Sequence, residues 1–226
     1  MGLWSGLWNG IKSFASSISN VLKNSELMNK LLPILSVVIP PPFDVIALVA
    51  IMAISASMGV EENPDELGWQ MNEADKKPED FDSFKEYKEY LDREYPFDKE
   101  KFDALSEEQK MACRYIGMVG TMAELKESKG FEITPESFGV IVKGTKSLGW
   151  DEAQIGAFAK VLSISLANSG TASLADVVAL ANGILDPGKQ EAVSVAISAG
   201  AKEAGVTQDK AAIIDSMREA SLQENV

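Results

Sequence analysis

Between Leu27 and Val60 the chain carries two charges, Lys30 and Asp44, and is interrupted by three consecutive prolines, Pro40, Pro41 and Pro42. A proline lacks the backbone N–H and disfavours helical geometry in the residue before it, so one continuous helix cannot run through this stretch. The stretch reads as a proline-hinged apolar helical hairpin. Its first arm runs from about Glu26 to Ile39 and contains Pro33. Its second starts with Pro41 or Pro42 in the first turn, has Asp44 at the end where a carboxylate is favoured, and stops at Gly59. The sixteen residues from Val45 to Val60 carry no charge. As a helix they reach ~24 Å, short of the ~30 Å hydrocarbon core of a bilayer. Three placements fit: a re-entrant or oligomerised hairpin, a helix buried in protein, or the apolar region of a signal peptide. The last is set aside because an amphipathic segment and the three prolines precede it.

That amphipathic segment is Met1 to Asn24. At 100° per residue Leu3, Leu7, Ile11, Phe14, Ile18, Val21 and Leu22 fall on one side, with Trp4 and Trp8 at its edge. The opposite side is serine, asparagine and lysine, and no acidic residue occurs before Glu26. Tryptophan at the margin of an apolar stripe suits a bilayer interface, where an amphipathic ring is half buried. Gly2, Gly6 and Gly10 lie along one boundary of the stripe. Each costs about 1 kcal/mol relative to alanine in a helix, a loss that close helix-to-helix contact offsets when small residues recur every four positions. The expected membrane- or partner-inserting residues are therefore Leu3, Trp4, Leu7, Trp8, Ile11, Phe14 and Ile18, with Gly2, Gly6 and Gly10 as helix-packing positions and Pro40, Pro41 and Pro42 as the hairpin hinge. The same periodicity fits a helix packed on its own protein.

Gly6, Leu7, Trp8, Ile11 and Lys12 read GLWxxIK, and Gly2, Leu3 and Trp4 repeat the GLW. This pattern, confined to residues 1–18, resembles the opening of the dermaseptin-type membrane-active amphipathic peptides. The resemblance implies affinity for membranes. A myristoylation signal is not formed, because Gly6 stands where serine or threonine is required.

Charge is divided unevenly along the chain. Residues 1–60 hold three lysines against Glu26 and Asp44, a net +1, so the chain's net −13 places −14 on residues 61–226. A body this acidic excludes a nucleic-acid surface, which needs concentrated lysine and arginine. The chain has no histidine, which removes Ser-His-Asp and Cys-His catalysis and histidine-ligated zinc, and its single cysteine, Cys113, cannot form an intrachain disulfide. The default place for such a cysteine is inside a helix core.

Residues 61–78 are acidic and interrupted by Pro64, Gly68 and Pro78, the composition of a linker. Helix signals follow down the rest of the chain. A charged helix is expected over about Glu79–Tyr95, stopped by Pro96. Ser106 and Gln109 form a capping box for Glu107–Ser128, ended by Gly130. Thr134 with Pro135, Asp151, Ser173 with Asp176, Asp186 with Pro187, and Thr207 open five more. No alternating β pattern competes, so the fold class is all-α: an N-terminal amphipathic helix and apolar hairpin (1–60), an acidic linker (61–78), and an acidic multi-helix domain (79–226) divisible into 79–130 and 131–226.

Two segments approach known binding motifs. Gly139, Gly144, Lys146 and Ser147 approximate GxxxxGK[ST], but Thr145 is inserted and Phe138, Ile141 and Val142 mark a helix face. Asp80 and Asp82 open like a calcium loop, yet Phe84 stands where a third oxygen ligand belongs. No catalytic residue, cofactor, metal or small-molecule substrate is assigned. The expected function is that of a non-enzymatic helical structural protein whose N-terminal region meets membrane lipid, copies of itself or other subunits of an assembly, with a membrane, virion or secreted assembly as the favoured location. Two alternatives are a secreted pore-forming, bacteriocin-like toxin and a soluble adaptor whose N-terminal region is core.

Overall fold

A computed structural model describes residues 43–76 and 78–223. These residues are helical or irregular, with no strand among them, so the fold is all-α. The hairpin's first arm, the amphipathic segment and the hinge prolines lie outside the described residues. The described chain divides into two compact units, one of residues 62–130 and one of residues 43–61 with 131–223.

The first unit is organised by a crossing of two helices, α2 (Pro64–Glu73) and α5 (Glu107–Lys129). Helix α5 starts with the expected capping box, in which the Ser106 hydroxyl accepts from the Gln109 N–H at 3.3 Å and the Gln109 side chain accepts from the Ser106 N–H at 2.9 Å. It ends at Gly130, whose φ of 66° is the left-handed geometry that favours glycine. Helix α2 stands where a linker was expected. The signs that suggested a linker have a different physical use here. Pro64 occupies the first turn, where its missing N–H is not needed, and Asp65 and Glu66 complement the positive helix end. Asn63 caps the helix by accepting from the Asp65 N–H at 3.1 Å. Gly68 allows the backbones of α2 and α5 to meet: a Cβ there would lie 1.7 Å from the Cys113 carbonyl oxygen, and one on Gly117 would lie 1.7 Å from that of Pro64. Arg114 of α5 then clamps Asp65 with two parallel bonds of 3.0 and 3.1 Å.

Around the crossing, Trp69, Phe102 and Cys113 form a buried cluster joined by Phe97 and Leu105. Phe102 belongs to the short α4 (Lys99–Asp103), capped by Asp98. Helix α3 (Phe84–Glu94) begins later than expected. The chain first makes a 3-10 turn over Pro78–Asp80, and Ser83 provides the cap by accepting from the Glu86 N–H at 3.1 Å. Phe84, Tyr87, Tyr90 and Leu91 make its buried face.

The second unit contains α1 (Phe43–Ser57), α6 (Pro135–Ser147), α7 (Glu152–Ser169), α8 (Leu174–Ala181), α9 (Gln190–Glu203) and α10 (Lys210–Gln223). Helix α1 packs on α7 and α6, α9 packs on α7, and α10 packs on α6. The caps of α6, α7 and α8 are the expected Thr134, Asp151 and Ser173 with Asp176. Two starts differ. Asp186 and Pro187 open a 3-10 turn, Pro187–Lys189, from which Lys189 reaches back to Asp176 at 2.9 Å before α9 begins. At the last helix Asp209, not Thr207, is the cap, its carboxylate accepting from the Ala212 N–H at 2.8 Å. The core is filled by Ile51, Ile54, Phe138, Trp150, Phe158, Leu162, Ile197 and Met217. Small residues of α9 serve close packing, with Gly200 seated against the Phe158 ring.

Candidate functional site

Helix α1 reads FDVIALVAIMAISAS, and between Val45 and Ser57 it has no charge. A helix apolar on all sides gains free energy from every face it buries, so the bundle around it decides which face that is. Ile46, Ala47, Ala50, Ile51 and Ile54 are the buried side, at 0–3% exposure. Val49 and Ala53 lie over Gly156 of α7, where the missing side chain admits them. The remaining side holds Val45 at 42% exposure, Met52 at 40%, half-buried Leu48 and exposed Ala56. These four follow one another by three or four positions, so they make one outward apolar stripe along the helix.

The segment expected as a hairpin's second arm is thus a core helix of the second unit. Burial of its inner face explains the assignment: Ile46, Ile51 and Ile54 alone are worth roughly 5–8 kcal/mol as buried side chains. Gly59, with φ 71°, follows the helix as expected. The other expected site residues, Leu3, Trp4, Leu7, Trp8, Ile11, Phe14, Ile18, Gly2, Gly6, Gly10, Pro40, Pro41 and Pro42, lie outside the described residues. The structure therefore supplies the root to which they are joined, and the apolar stripe beside that root. The stripe was missed in the sequence because α1 has no polar face to mark the outside.

Among the described residues no single helix is long and apolar enough to cross a membrane. Helices α7 and α8 together reach that length and composition across a bend of 103°.

The first unit has a cleft of about 510 Å³ between α3 and α5, lined by Phe84, Lys85, Lys88, Asp92, Glu124 and Glu127 among others. Its charges are engaged within the protein. The Glu127 carboxylate accepts from the backbone N–H groups of Phe84 and Lys85 at 2.8 and 3.2 Å, which completes the α3 cap. Lys88 donates to Glu62 and lies 3.7 Å from Glu124. Beside it, Phe81, Tyr87, Tyr90 and Tyr95 form an aromatic group, with the Lys76 ammonium 5.1 Å from the Tyr90 ring centre. Tyr90 and Tyr95 both donate to Asp75, and these bonds hold its carboxyl below the ordinary value.

Cys113 is fully buried, and burial pushes its thiol up to about 12, so it is neutral and sheltered at physiological pH. No group of three histidine, cysteine, aspartate or glutamate side chains is placed to hold a metal ion among the described residues. The segment that approximates a phosphate loop is helix α6. Its Gly144 faces the backbone and side chain of Met217 on α10, where a Cβ would come within 2.9 Å, so the glycine serves packing. Asp80 closes the 3-10 turn before α3, and Asp82 donates its N–H to Glu86 at 3.3 Å.

No protein-family model, curated protein or solved structure matches the chain.

Proposed function

We propose that this is a non-enzymatic helical structural protein whose N-terminal residues insert into a membrane or a multi-subunit assembly, as a virion or injection-apparatus component that meets a membrane during delivery would require. The observation that carries the reading is α1: a helix uncharged from Val45 to Ser57, rooted in a folded unit, with an apolar outward stripe, and following the amphipathic and proline-interrupted residues in the chain. The inserting residues are Leu3, Trp4, Leu7, Trp8, Ile11, Phe14 and Ile18, with Gly2, Gly6 and Gly10 allowing neighbouring copies to pack. Helix α1 remains in the protein, because withdrawing it exposes its buried isoleucines. The fold class at finer grain is then an N-terminal amphipathic helix, a hairpin whose second arm is α1, and the helical units that follow.

Co-flotation with liposomes tests this. The full chain is expected to float, and a Trp4→Ser, Trp8→Ser variant to float several-fold less. Full-length protein that stays at the bottom in folded form refutes the membrane reading and leaves the assembly. The packing of a helix uncharged from Val45 to Ser57 against other helices also suits the second reading, a secreted pore-former that opens in lipid. Release of dye from the same vesicles distinguishes that pore from a tether.

A further inference from the structure

The cleft between α3 and α5 is walled by carbon although most of the residues around it are charged. The methylene stems of Lys85 and Lys88, together with Phe84, account for this, since a long charged side chain lies along a surface and turns its head to water. A cleft of about 510 Å³ with such walls and a few charged groups has the size and composition of a small-molecule site.

The ionic groups of the cleft are engaged but do not balance. Four carboxylates, Glu89, Asp92, Glu124 and Glu127, face two ammonium groups, Lys85 and Lys88. Glu127 is satisfied by the backbone N–H groups at the start of α3, and Asp92 accepts from the Gln70 side chain at 3.2 Å. Glu89 lies 3.9 Å from Lys85, both exposed to water. Glu124 differs. Its Oε2 is shielded from water, accepts no hydrogen bond and lies 3.7 Å from the Lys88 Nζ, while Lys88 itself is bonded to Glu62. Both carboxylates have little access to water, at 11% side-chain exposure for Glu62 and 21% for Glu124. One ammonium therefore serves two half-buried carboxylates, and a charge withdrawn from water without donors is costly. What would complete the set is a second cation with N–H donors and an apolar stem. A guanidinium suits this better than an ammonium, because its planar fork bonds both oxygens of a carboxylate and it gives up hydration more readily. The Glu124 carboxylate turns about its last torsion at little cost, which brings Oε2 toward the cleft.

We propose that this cleft binds an alkylguanidinium group, the chemistry of an arginine side chain, with the guanidinium on Glu124 and the stem against Phe84 and the lysine methylenes. Lys88 then belongs to Glu62 alone, and two carboxylates meet two cations. The site lies wholly within the first unit and is independent of the N-terminal residues and of any membrane. Two carriers share this chemistry, an arginine of a partner protein and a free alkylguanidine.

The test titrates the isotopically labelled full chain with butylguanidinium at low salt and follows the backbone amide signals of α3 and α5 by NMR. Butylurea, of the same shape without the charge, and butylammonium, a point charge on the same stem, are the comparisons. Butylguanidinium is expected to bind at least tenfold more tightly than butylurea, the equivalent of one charged hydrogen bond, and several-fold more tightly than butylammonium. Glu124→Gln is expected to weaken it at least fivefold. Glu94→Gln, which removes an exposed carboxylate of α3 outside the cleft, is expected to leave it unchanged. Equal binding of butylguanidinium and butylurea overturns the proposal, and this comparison stands whether or not the variant folds. Unchanged binding to a folded Glu124→Gln protein overturns it as well, and butylammonium binding as tightly as butylguanidinium overturns the guanidinium assignment. Shifts spread evenly over the acidic surface show only the attraction of a cation to a chain of net charge −13, and they too overturn the site. The carriers are separated by acetyl-glycyl-arginyl-glycinamide: binding as tight as that of butylguanidinium assigns the site to a protein arginine, and binding tenfold weaker assigns it to a free small molecule.

Discussion

Alanine at Gly117 should cost the first unit about half of what holds α2 to α5. A Cβ at Gly117 would lie 1.7 Å from the Pro64 carbonyl oxygen and 2.5 Å from its carbon, and ordinary contact begins at about 3.4 Å. The obstacle is backbone, so no rotamer change relieves it, and the helices must separate by about 1.7 Å. A gap of up to 1 Å already forfeits as much as half of the dispersion energy across a contact. Leu67, Trp69 and Met71 of α2 are buried, at about 2 kcal/mol each, so losing half of that is ~3 kcal/mol. Replacing glycine by alanine in a helix returns about 1 kcal/mol, leaving a net loss of ~2 kcal/mol or more. Gly120→Ala supplies the control on the same helix. There the new methyl group meets the Leu67 Cδ2 at 2.9 Å and the Met71 Sδ at 3.1 Å, the ends of flexible side chains, so strain and propensity roughly cancel. Urea unfolding with hydrogen exchange read separately on α2 and α5 measures the difference within this unit. Gly68→Ala, which meets the Cys113 carbonyl, should resemble Gly117→Ala, and the double variant should cost less than the two together, because helices already apart accommodate the second methyl. A Gly117→Ala protein as stable as Gly120→Ala would refute the close crossing.

Three further outcomes are expected. Cys113 should react with a polar thiol reagent at pH 8 at least a hundredfold more slowly in the folded chain than in urea; equal rates would show that it is reachable. Asp75 is held below the ordinary aspartate range by the hydroxyls of Tyr90 and Tyr95, so its contribution to stability is present above the unfolded value and is lost as pH falls through the lower folded value. Tyr90→Phe with Tyr95→Phe should move the Asp75 titration, followed by carboxyl NMR, up toward the ordinary aspartate range, and an unmoved titration would refute the assignment. A chain starting at Phe43 should keep exchange protection in both units. One starting at Glu61 should lose it in α6–α10 but keep it in α2–α5, because the buried side of α1 is worth roughly 5–8 kcal/mol, comparable to a domain's whole stability.

The sequence carries the local grammar of this fold well. Ser106 with Gln109, Thr134 with Pro135, Asp151, and Ser173 with Asp176 each mark a start because a side-chain oxygen and a free N–H are three residues apart, a relation fixed by the helix itself. Thr207 was misleading because Asp209, two residues on, offers a carboxylate to the same helix end. The segment around Gly68 was misread for a reason of another kind. Proline, acid and glycine mark a linker when nothing packs on them, and here the packing partner is α5, about fifty residues away. The small residues Cys113, Gly117 and Thr121 at four-residue spacing on α5 were the available signal of that crossing.

The placement of α1 was not legible, and the reason bears on function. A helix with no charge from Val45 to Ser57 gains from leaving water whether its neighbours are lipid tails or leucines, so composition offers both solvents equally. Connectivity adds no help, since residues 62–130 stand between α1 and the helices that enclose it. What distinguishes the two solvents is the number of good faces: α7 and α6 take one side of α1 and leave Val45, Leu48 and Met52 on the other. An entirely enclosed helix would point to a core and nothing more. A helix enclosed on one side and apolar on the other has one face that holds it in the bundle and a second that still gains free energy by leaving water.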